Sequence, residues 1–168
     1  MIYIYNCFGG THSSILAIAY HLEMLDETRE PTKEEILNLP NFNKLESGNR
    51  GEFFYYGSDK DGNKVYTIGR GRSKVLIPGL YNLVSILNKQ NLLNEEIVFS
   101  NTSPTVPLSM TFGGLFSRWL KIDFIGVPLL IKGAKQSYKD VINLVNNTKK
   151  VAKEVKSEVI ILDNKEFK

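Results

Sequence analysis

The chain has 168 residues and a mass of 19.0 kDa, which is about the size of one domain, and 42% of its residues are hydrophobic. This composition excludes a disordered chain, because it supplies enough apolar surface for a core. The apolar runs around residues 15–20 and 127–131 are too short for a membrane-spanning helix, and no secretory signal is predicted. We therefore expect a cytoplasmic protein with a single domain over residues 1–168.

Charge and cysteine content exclude further classes. The formal net charge of +3 is mild, and its excess comes partly from lysines scattered over residues 132–156, as on the solvated face of a helix. Nucleic-acid binding is disfavoured, because no basic stripe interleaved with aromatic residues is present. Cys7 is the only cysteine, which excludes an internal disulfide and a multi-cysteine zinc site. No metal site is predicted, and the sequence leaves any cofactor open.

Residues 1–40 contain patterns for one strand, two helices and a glycine loop. Residues 2–5 are apolar or aromatic without alternation, which predicts a strand buried on both faces. A glycine- and hydroxyl-rich segment follows and leads into an apolar helix over residues 14–25, capped by Ser13 or Ser14. Thr32 and Glu35 have the spacing of a capping box, which predicts a short helix that ends at Pro40.

The remaining elements alternate between strand and helix. Residues 53–56 and 65–68 predict a β-hairpin, and Pro78 lies near the start of the helix that follows. We then expect a strand at 97–99, a short helix within 108–120, a strand at 129–131, a long helix capped by Ser137 and a last strand at 159–162. This order predicts an α/β fold, a three-layer and mainly parallel Rossmann-like sheet with an added β-hairpin.

The loop after the first strand has the composition of an anion site. Where a buried strand passes through a glycine turn into a helix, free backbone N–H groups and the positive helix end converge on one point. In a parallel sheet this loop lies at the carboxyl edge, where ligands of open α/β folds bind. We expect the anion to contact the backbone and hydroxyl groups of Gly9, Gly10, Thr11, Ser13 and Ser14.

Two side chains in this loop are candidates for catalysis. Cys7 lies at the junction of strand and loop, and a helix N-terminus that faced its sulfur would favour the nucleophilic thiolate. His12 would supply a positive neighbour or a proton. The structural alternative stays open, in which Cys7 is a small buried hydrophobic residue and His12 an ordinary loop residue. His21 falls within an apolar helix and is interpreted as a structural partner.

Other polar residues are expected near the same edge. Arg70 and Arg72 follow the hairpin and would form a basic lip over the anion, or alternatively a solvated turn. Asn101 and Thr102 follow a strand and are either further donors or caps of the next segment. Arg118 lies beyond the pair of glycines at 113–114, which form either a second phosphate loop or, as we favour, a close packing contact.

The loop resembles the phosphate-binding loops of two protein families, but it lacks the Walker loop motif of a third class of phosphate-binding proteins. No G-x-x-x-x-G-K-[ST] pattern occurs, which disfavours ATP hydrolysis by a Walker loop. Low-molecular-weight protein tyrosine phosphatases have C-x5-R-S at the end of their first strand, but Ser13 replaces the arginine here, so Arg70, Arg72 or Arg118 would have to hold the phosphate. The loop is also similar to that of IIB-type phosphotransferase subunits, whose cysteine carries phosphate and whose spacing Cys7, Gly10, Ser13 and Ser14 match.

A broader resemblance is to a small bacterial family of unknown function, mostly from spore-forming Gram-positive species. Its members open with a strand and then C-x-G-G-T-H-S-S, which residues 7–14 match. The resemblance continues through the Thr32 helix, the aromatic hairpin and the segment from Pro107 to Arg118. It implies no established activity, substrate or cofactor.

Three hypotheses for function follow. The first is a phosphate-recognising protein, a phosphatase or phosphotransferase in which Cys7 is the nucleophile or neighbours the phosphate. The second is a non-catalytic module that binds a nucleotide or a phosphorylated partner through the same loop, with charge from Arg70 and Arg72. The third is a structural or protein-interaction role, in which the glycines only allow helix and sheet to pack closely.

Overall fold

The fold is described by a computed structural model that covers residues 1–93, 95–155 and 157–167. Its strands are β1 (Ile2–Cys7), β2 (Phe53–Ser58), β3 (Lys64–Gly69), β4 (Ile97–Asn101) and β5 (Val159–Leu162). Its helices are α1 (Ser13–His21), α2 (Lys33–Asn38), α3 (Leu76–Lys89), α4 (Leu108–Gly114) and α5 (Asp123–Glu154). Among these residues no helix combines the length and apolarity needed to cross a bilayer.

The five strands form one sheet in the order β2-β3-β1-β4-β5. β1 pairs in parallel with β3 and β4, and β4 pairs in parallel with β5, whereas β2 pairs antiparallel with β3. The hairpin predicted from its turn sequence therefore adds β2 to one edge. The prediction of a mainly parallel α/β sheet with an added hairpin is confirmed.

Alternate residues of β1 contribute to two hydrophobic clusters. Tyr3 and Tyr5 pack in one cluster with α1 and with α5 residues between Leu130 and Ala152. Ile4 packs in the other cluster, with β3, β4 and α3. Five of the six β1 residues and all nine α1 residues are buried, which explains why neither segment shows a polar alternation in the sequence.

The long C-terminal helix differs from the prediction. Residues 129–131 were expected to form a strand and Ser137 to cap a helix, but both lie inside α5, where the Ser137 hydroxyl donates to the carbonyl of Gly133 at 2.9 Å. A three-residue apolar run fits a buried strand and a buried helix turn equally well. α1 is also shorter than expected and ends at His21, whereas the capping box of Thr32 and Glu35 is confirmed.

Glycines hold α4 against α5. A Cβ on Gly113 would lie 2.7 Å from the backbone nitrogen of Leu130, and a Cβ on Gly126 would lie 2.9 Å from the carbonyl oxygen of Gly113. Both distances are shorter than any real carbon contact, so the two helices approach more closely than a side chain allows. The packing interpretation of the glycine pair at 113–114 is thereby favoured over a second phosphate loop.

We expect Gly126→Ala to lower the free energy of unfolding by about 2 to 3 kcal/mol, because the new methyl group meets backbone that cannot move aside. Gly79→Ala in α3 is the matched control, since nothing lies within 4 Å of its Cβ position, and it should be neutral or slightly stabilising. Urea denaturation of both variants measures the difference. Equal stabilities would contradict the close contact between α4 and α5.

Candidate functional site

The carboxyl ends of β1, β3 and β4 meet at one edge of the sheet and bring three of the predicted loops together. The Arg70 N–H donates to the Cys7 carbonyl at 2.9 Å, and the Thr102 N–H donates to the Asn6 carbonyl at 2.8 Å. The loop after β1 thus lies between the residues that follow β3 and β4. The parallel-strand argument correctly predicted this grouping.

The glycines in this loop allow it to fold onto the end of β3. Gly10 has a φ of +68°, and a Cβ there would lie 2.7 Å from the backbone nitrogen of Gly69. A Cβ on Gly69 would in turn lie 2.8 Å from the carbonyl oxygen of Gly9. Close backbone packing therefore requires glycine at these positions, as the structural hypothesis states.

The sulfur of Cys7 faces the loop and has two hydrogen-bonding neighbours. The Gly10 N–H donates to Sγ at 3.1 Å, and the Ser14 hydroxyl lies 3.3 Å from it. The Thr67 hydroxyl donates to Ser14 Oγ at 2.9 Å, which leaves the hydrogen of Ser14 free for the sulfur. Two hydrogen-bond donors are therefore directed at the one sulfur. The Cys7 residue is only 5% exposed.

The start of α1 has no side-chain cap. The helix begins at Ser13, its N-cap is His12, and no side chain accepts from the first N–H groups, so the prediction of a Ser13 or Ser14 cap is wrong. Within the described chain the N–H groups of Gly9, His12 and Ser13 have no protein acceptor. Donors left open at a helix N-terminus are the features that bind anions.

The hydroxyl groups expected to contact the anion are used within the protein. Thr11 Oγ1 donates to the carbonyl of Asn41 and accepts from the N–H groups of Lys44 and Leu45. Ser13 Oγ lies 2.9 Å from Thr102 Oγ1, whose own hydrogen is directed at the Asn6 carbonyl. These hydroxyls hold neighbouring loops in place, so the loop offers an anion its backbone N–H groups.

His12 is neutral at pH 7. Burial lowers the pKa of His12 to about 4, although the hydrogen bond with Asn43 raises it, and the nearby charge of Arg118 lowers it further. Nε2 of the ring lies 3.0 Å from Asn43 Oδ1. The positive neighbour expected for Cys7 is therefore absent from this position, and a proton-transfer role for His12 stays a prediction.

Arg70 spans the end of β1. Its guanidinium Nη2 donates to Asn101 Oδ1 at 3.3 Å and to Ser103 Oγ at 3.0 Å, although Arg70 itself follows β3 on the other side of β1. Its Nε is buried and has no partner among the described atoms. No contact joins the guanidinium to the Cys7 sulfur, so Arg70 and Cys7 share the edge without touching.

Sequence reasoning missed Arg50, which lies beside the same loop. Its guanidinium stacks on the ring of Phe8, with the carbon 4.7 Å from the ring centroid, and Phe8 is 45% exposed. Arg72 is exposed near it. Within the described chain no carboxylate forms an ion pair with Arg50, Arg70 or Arg72. The edge is therefore electropositive.

Arg118 does not face the loop as a free cation. Its guanidinium donates to the carbonyls of Asn43, Lys44 and Leu45 at 2.9, 3.2 and 2.7 Å. It fixes the segment that holds Thr11 and His12, which is a positioning contact. The prediction that Arg118 binds the anion directly is therefore corrected.

His21 has the structural role expected of it. Its Nδ1 lies 2.7 Å from the Tyr5 hydroxyl and its Nε2 lies 3.1 Å from Asp59 Oδ2, which ties α1 and β1 to the hairpin turn. Burial lowers the pKa of His21 to about 4. A cavity of about 280 Å³ adjoins His21, and another of about 550 Å³ is lined by Glu23, Asp26, Glu27 and Glu35 together with apolar neighbours. Neither cavity includes the Cys7 loop.

The fold and the edge together define a mixed α/β protein with a cysteine and glycine loop before an uncapped helix. The chain belongs to the family described as "Protein of unknown function (DUF3189)", whose model matches residues 2–150. The predicted membership in a family of unknown function is confirmed. Searches of curated proteins and of solved structures found no match to the chain.

Proposed function

We propose that this protein binds a phosphate monoester at the carboxyl edge of its sheet and that Cys7 is the nucleophile of a phosphatase or phosphotransferase. One observation carries the proposal: the sulfur with its two hydrogen-bonding neighbours lies beside the uncapped N-terminus of α1. A dianionic phosphate would satisfy the open N–H groups of Gly9, His12 and Ser13 and would place its phosphorus near the sulfur.

The topology supports a ligand at this place. We infer a Rossmann-like three-layer arrangement, because α1 and α5 pack in one cluster and α3 packs in the other. β1 and β4 are neighbours, yet the chain leaves β1 toward β3 and leaves β4 toward β5. Open α/β sheets bind ligands in the crevice where connections diverge in this way.

The charge at the edge supports an anionic ligand. The arginines at 50, 70 and 72 have no carboxylate partner among the described residues, and the buried Nε of Arg70 has an unused hydrogen. A guanidinium with an unused donor favours phosphate over a neutral ligand. Arg70 is the residue best placed to supply the function of the arginine that Ser13 replaces.

The chemical step follows from the sulfur. The Cys7 thiolate attacks phosphorus, an S–P bond forms, and the ester P–O bond breaks so that the leaving group departs as an alkoxide with the electron pair and takes a proton from solvent. Water then attacks the phosphorus, the S–P bond breaks, the thiolate is restored and the water proton passes to a phosphate oxygen. In a phosphotransferase another acceptor hydroxyl takes the place of water.

The second candidate is a module that binds a nucleotide or a phosphorylated partner without turnover. It is favoured by the 5% exposure of Cys7 and by the lack, among the described residues, of a carboxylate hydrogen-bonded to Cys7 or Arg70 that would protonate a leaving group. Both candidates require the same anion site. Turnover separates them.

We expect inorganic phosphate to raise the melting temperature of the protein saturably, because a ligand that binds only the folded state stabilises it. Arg70→Met should weaken this binding by about tenfold or more, since it removes a charge-assisted donor from the site. Thermal shift over a phosphate titration measures both effects.

Lys89→Met is the matched control, because Lys89 is an exposed cation at the end of α3 and far from the edge. It should leave phosphate affinity unchanged. If both variants lost phosphate affinity equally, the effect would come only from general attraction between the positive charge of the protein and phosphate. No stabilisation of the unaltered protein by phosphate, sugar phosphates or nucleotides would favour the structural role instead.

A further inference from the structure

The segment from residue 108 to residue 125, which we call the arm, lies outside the sheet, and its helix α4 packs against α5. It comprises α4, a π-helical turn at Leu115–Trp119 and the start of α5. α5 has 32 residues and a length of roughly 48 Å at 1.5 Å per residue, whereas the strands are at most six residues long, or roughly 20 Å. The first turns of α5 therefore pack against α4 and lie beyond the carboxyl edge of the sheet.

The arm exposes an unusual amount of apolar surface. Leu108 is 76% exposed, Trp119 68% and Phe124 81%. Other large apolar side chains of the arm are exposed as well: Phe112, Leu115, Leu120 and Ile125. Apolar patches of this size on a surface mark binding sites for a partner or a membrane.

The geometry of α4 shows that this surface is not part of the core. Met110 and Gly113 are buried against α5. Leu108, Phe112, Leu115 and Trp119 recur at intervals of four, three and four residues, which places them on one stripe of the helix, opposite the buried side. Both sides of α4 are therefore apolar, and among the described residues only one of them is covered.

The surrounding charge indicates what covers the exposed stripe. Residues 97–139 contain five basic residues, at 118, 121, 132, 135 and 139, against a single acidic residue, Asp123, which accepts from the Ser117 hydroxyl. Glu46 pairs with Arg118 and Lys121, and Glu30 pairs with Lys135, which offsets part of this charge, but partly exposed ion pairs of this kind are weak. A second copy docked through the same face would bring like charges together, whereas an anionic surface complements them.

We propose that the arm binds the surface of a bilayer that contains anionic lipid, with Leu108, Phe112 and Trp119 of the exposed stripe at the level of the headgroups. Aromatic and leucine side chains on one face of a helix beside basic residues are the features of interfacial helices. This inference rests on the arm alone and does not depend on the anion site.

Trp119 is the only tryptophan, so its emission reports directly on the arm. With the full chain we expect a blue shift on adding vesicles of phosphatidylcholine and phosphatidylglycerol, and none with phosphatidylcholine alone. Leu108→Ser with Phe112→Ser should weaken vesicle binding by at least about tenfold, because two large apolar contacts of the stripe are lost. Leu92→Ser with Leu83→Ser changes two side chains of similar exposure in and after α3, and this matched control should bind normally.

Each other outcome overturns the inference. Absence of vesicle binding would contradict the proposal that the arm binds a bilayer. Equal binding to neutral and anionic vesicles would exclude a role for charge in the binding. Self-association in sedimentation experiments without lipid, abolished by the double variant of the stripe alone, would assign the stripe to a second copy. Retention of native circular dichroism in the double variant of the stripe shows that a loss of binding is not a loss of fold.

Discussion

Replacing Cys7 with serine is expected to reduce turnover of an aryl phosphate by about a thousandfold or more. A serine hydroxyl at this position is a far weaker nucleophile than a cysteine sulfur. Because serine still accepts from the Gly10 N–H, the loop should keep its shape. Steady-state assays with 4-nitrophenyl phosphate measure the loss.

The control is binding of the same anion. Cys7→Ser should still be stabilised by phosphate, since the backbone donors of the loop remain. Ser14→Ala, which removes a hydrogen-bonding neighbour of the sulfur, should give an intermediate loss of about tenfold. Unchanged turnover in Cys7→Ser would exclude Cys7 from the mechanism. If the unaltered protein bound phosphate saturably but did not turn over the aryl phosphate, the result would favour the non-catalytic binding module.

The local patterns that predicted the fold correctly are those that a few adjacent residues determine. The capping box of Thr32 and Glu35 is complete in itself, and the unbroken apolar run of β1 requires burial on both faces. The run at 129–131 carries no such information. Its helical state depends on Gly126 and Gly133, which admit α4 at close range, and a single sequence does not reveal that contact.

The candidate site was also predictable from the sequence only in part. That the loops after β1, β3 and β4 share an edge follows from a parallel sheet. The direction of each side chain does not follow from the sheet, because the residues that hold it in place are distant in the sequence. Thr11 contacts Asn41, and Arg118 contacts the carbonyls of residues 43–45. Arg50 was missed because its position depends on the aromatic ring of Phe8, with which no local motif connects it.

Acid should destabilise this protein strongly between pH 7 and pH 5. Burial lowers the pKa of both His12 and His21 to about 4, whereas the unfolded chain has the ordinary value near 6.5. The unfolded state therefore binds more protons, so stability is complete above about pH 6.5 and falls as pH decreases toward 4. Each histidine is expected to cost about 2 kcal/mol by pH 5, which together is a large part of a typical domain's stability.

Urea denaturation at pH 7, 6 and 5 measures this dependence. The pKa of Asp59 is lowered to about 2, so its protonation affects stability only below about pH 4. Between pH 7 and pH 5 the change in stability therefore comes from the histidines. The chain has only two histidines, so His21→Gln should remove about half of the decrease, and His12→Gln should remove the other half. Each variant also loses stability at pH 7, but that loss is independent of pH. A decrease of unchanged size in either variant would show that its histidine is not buried in the neutral form.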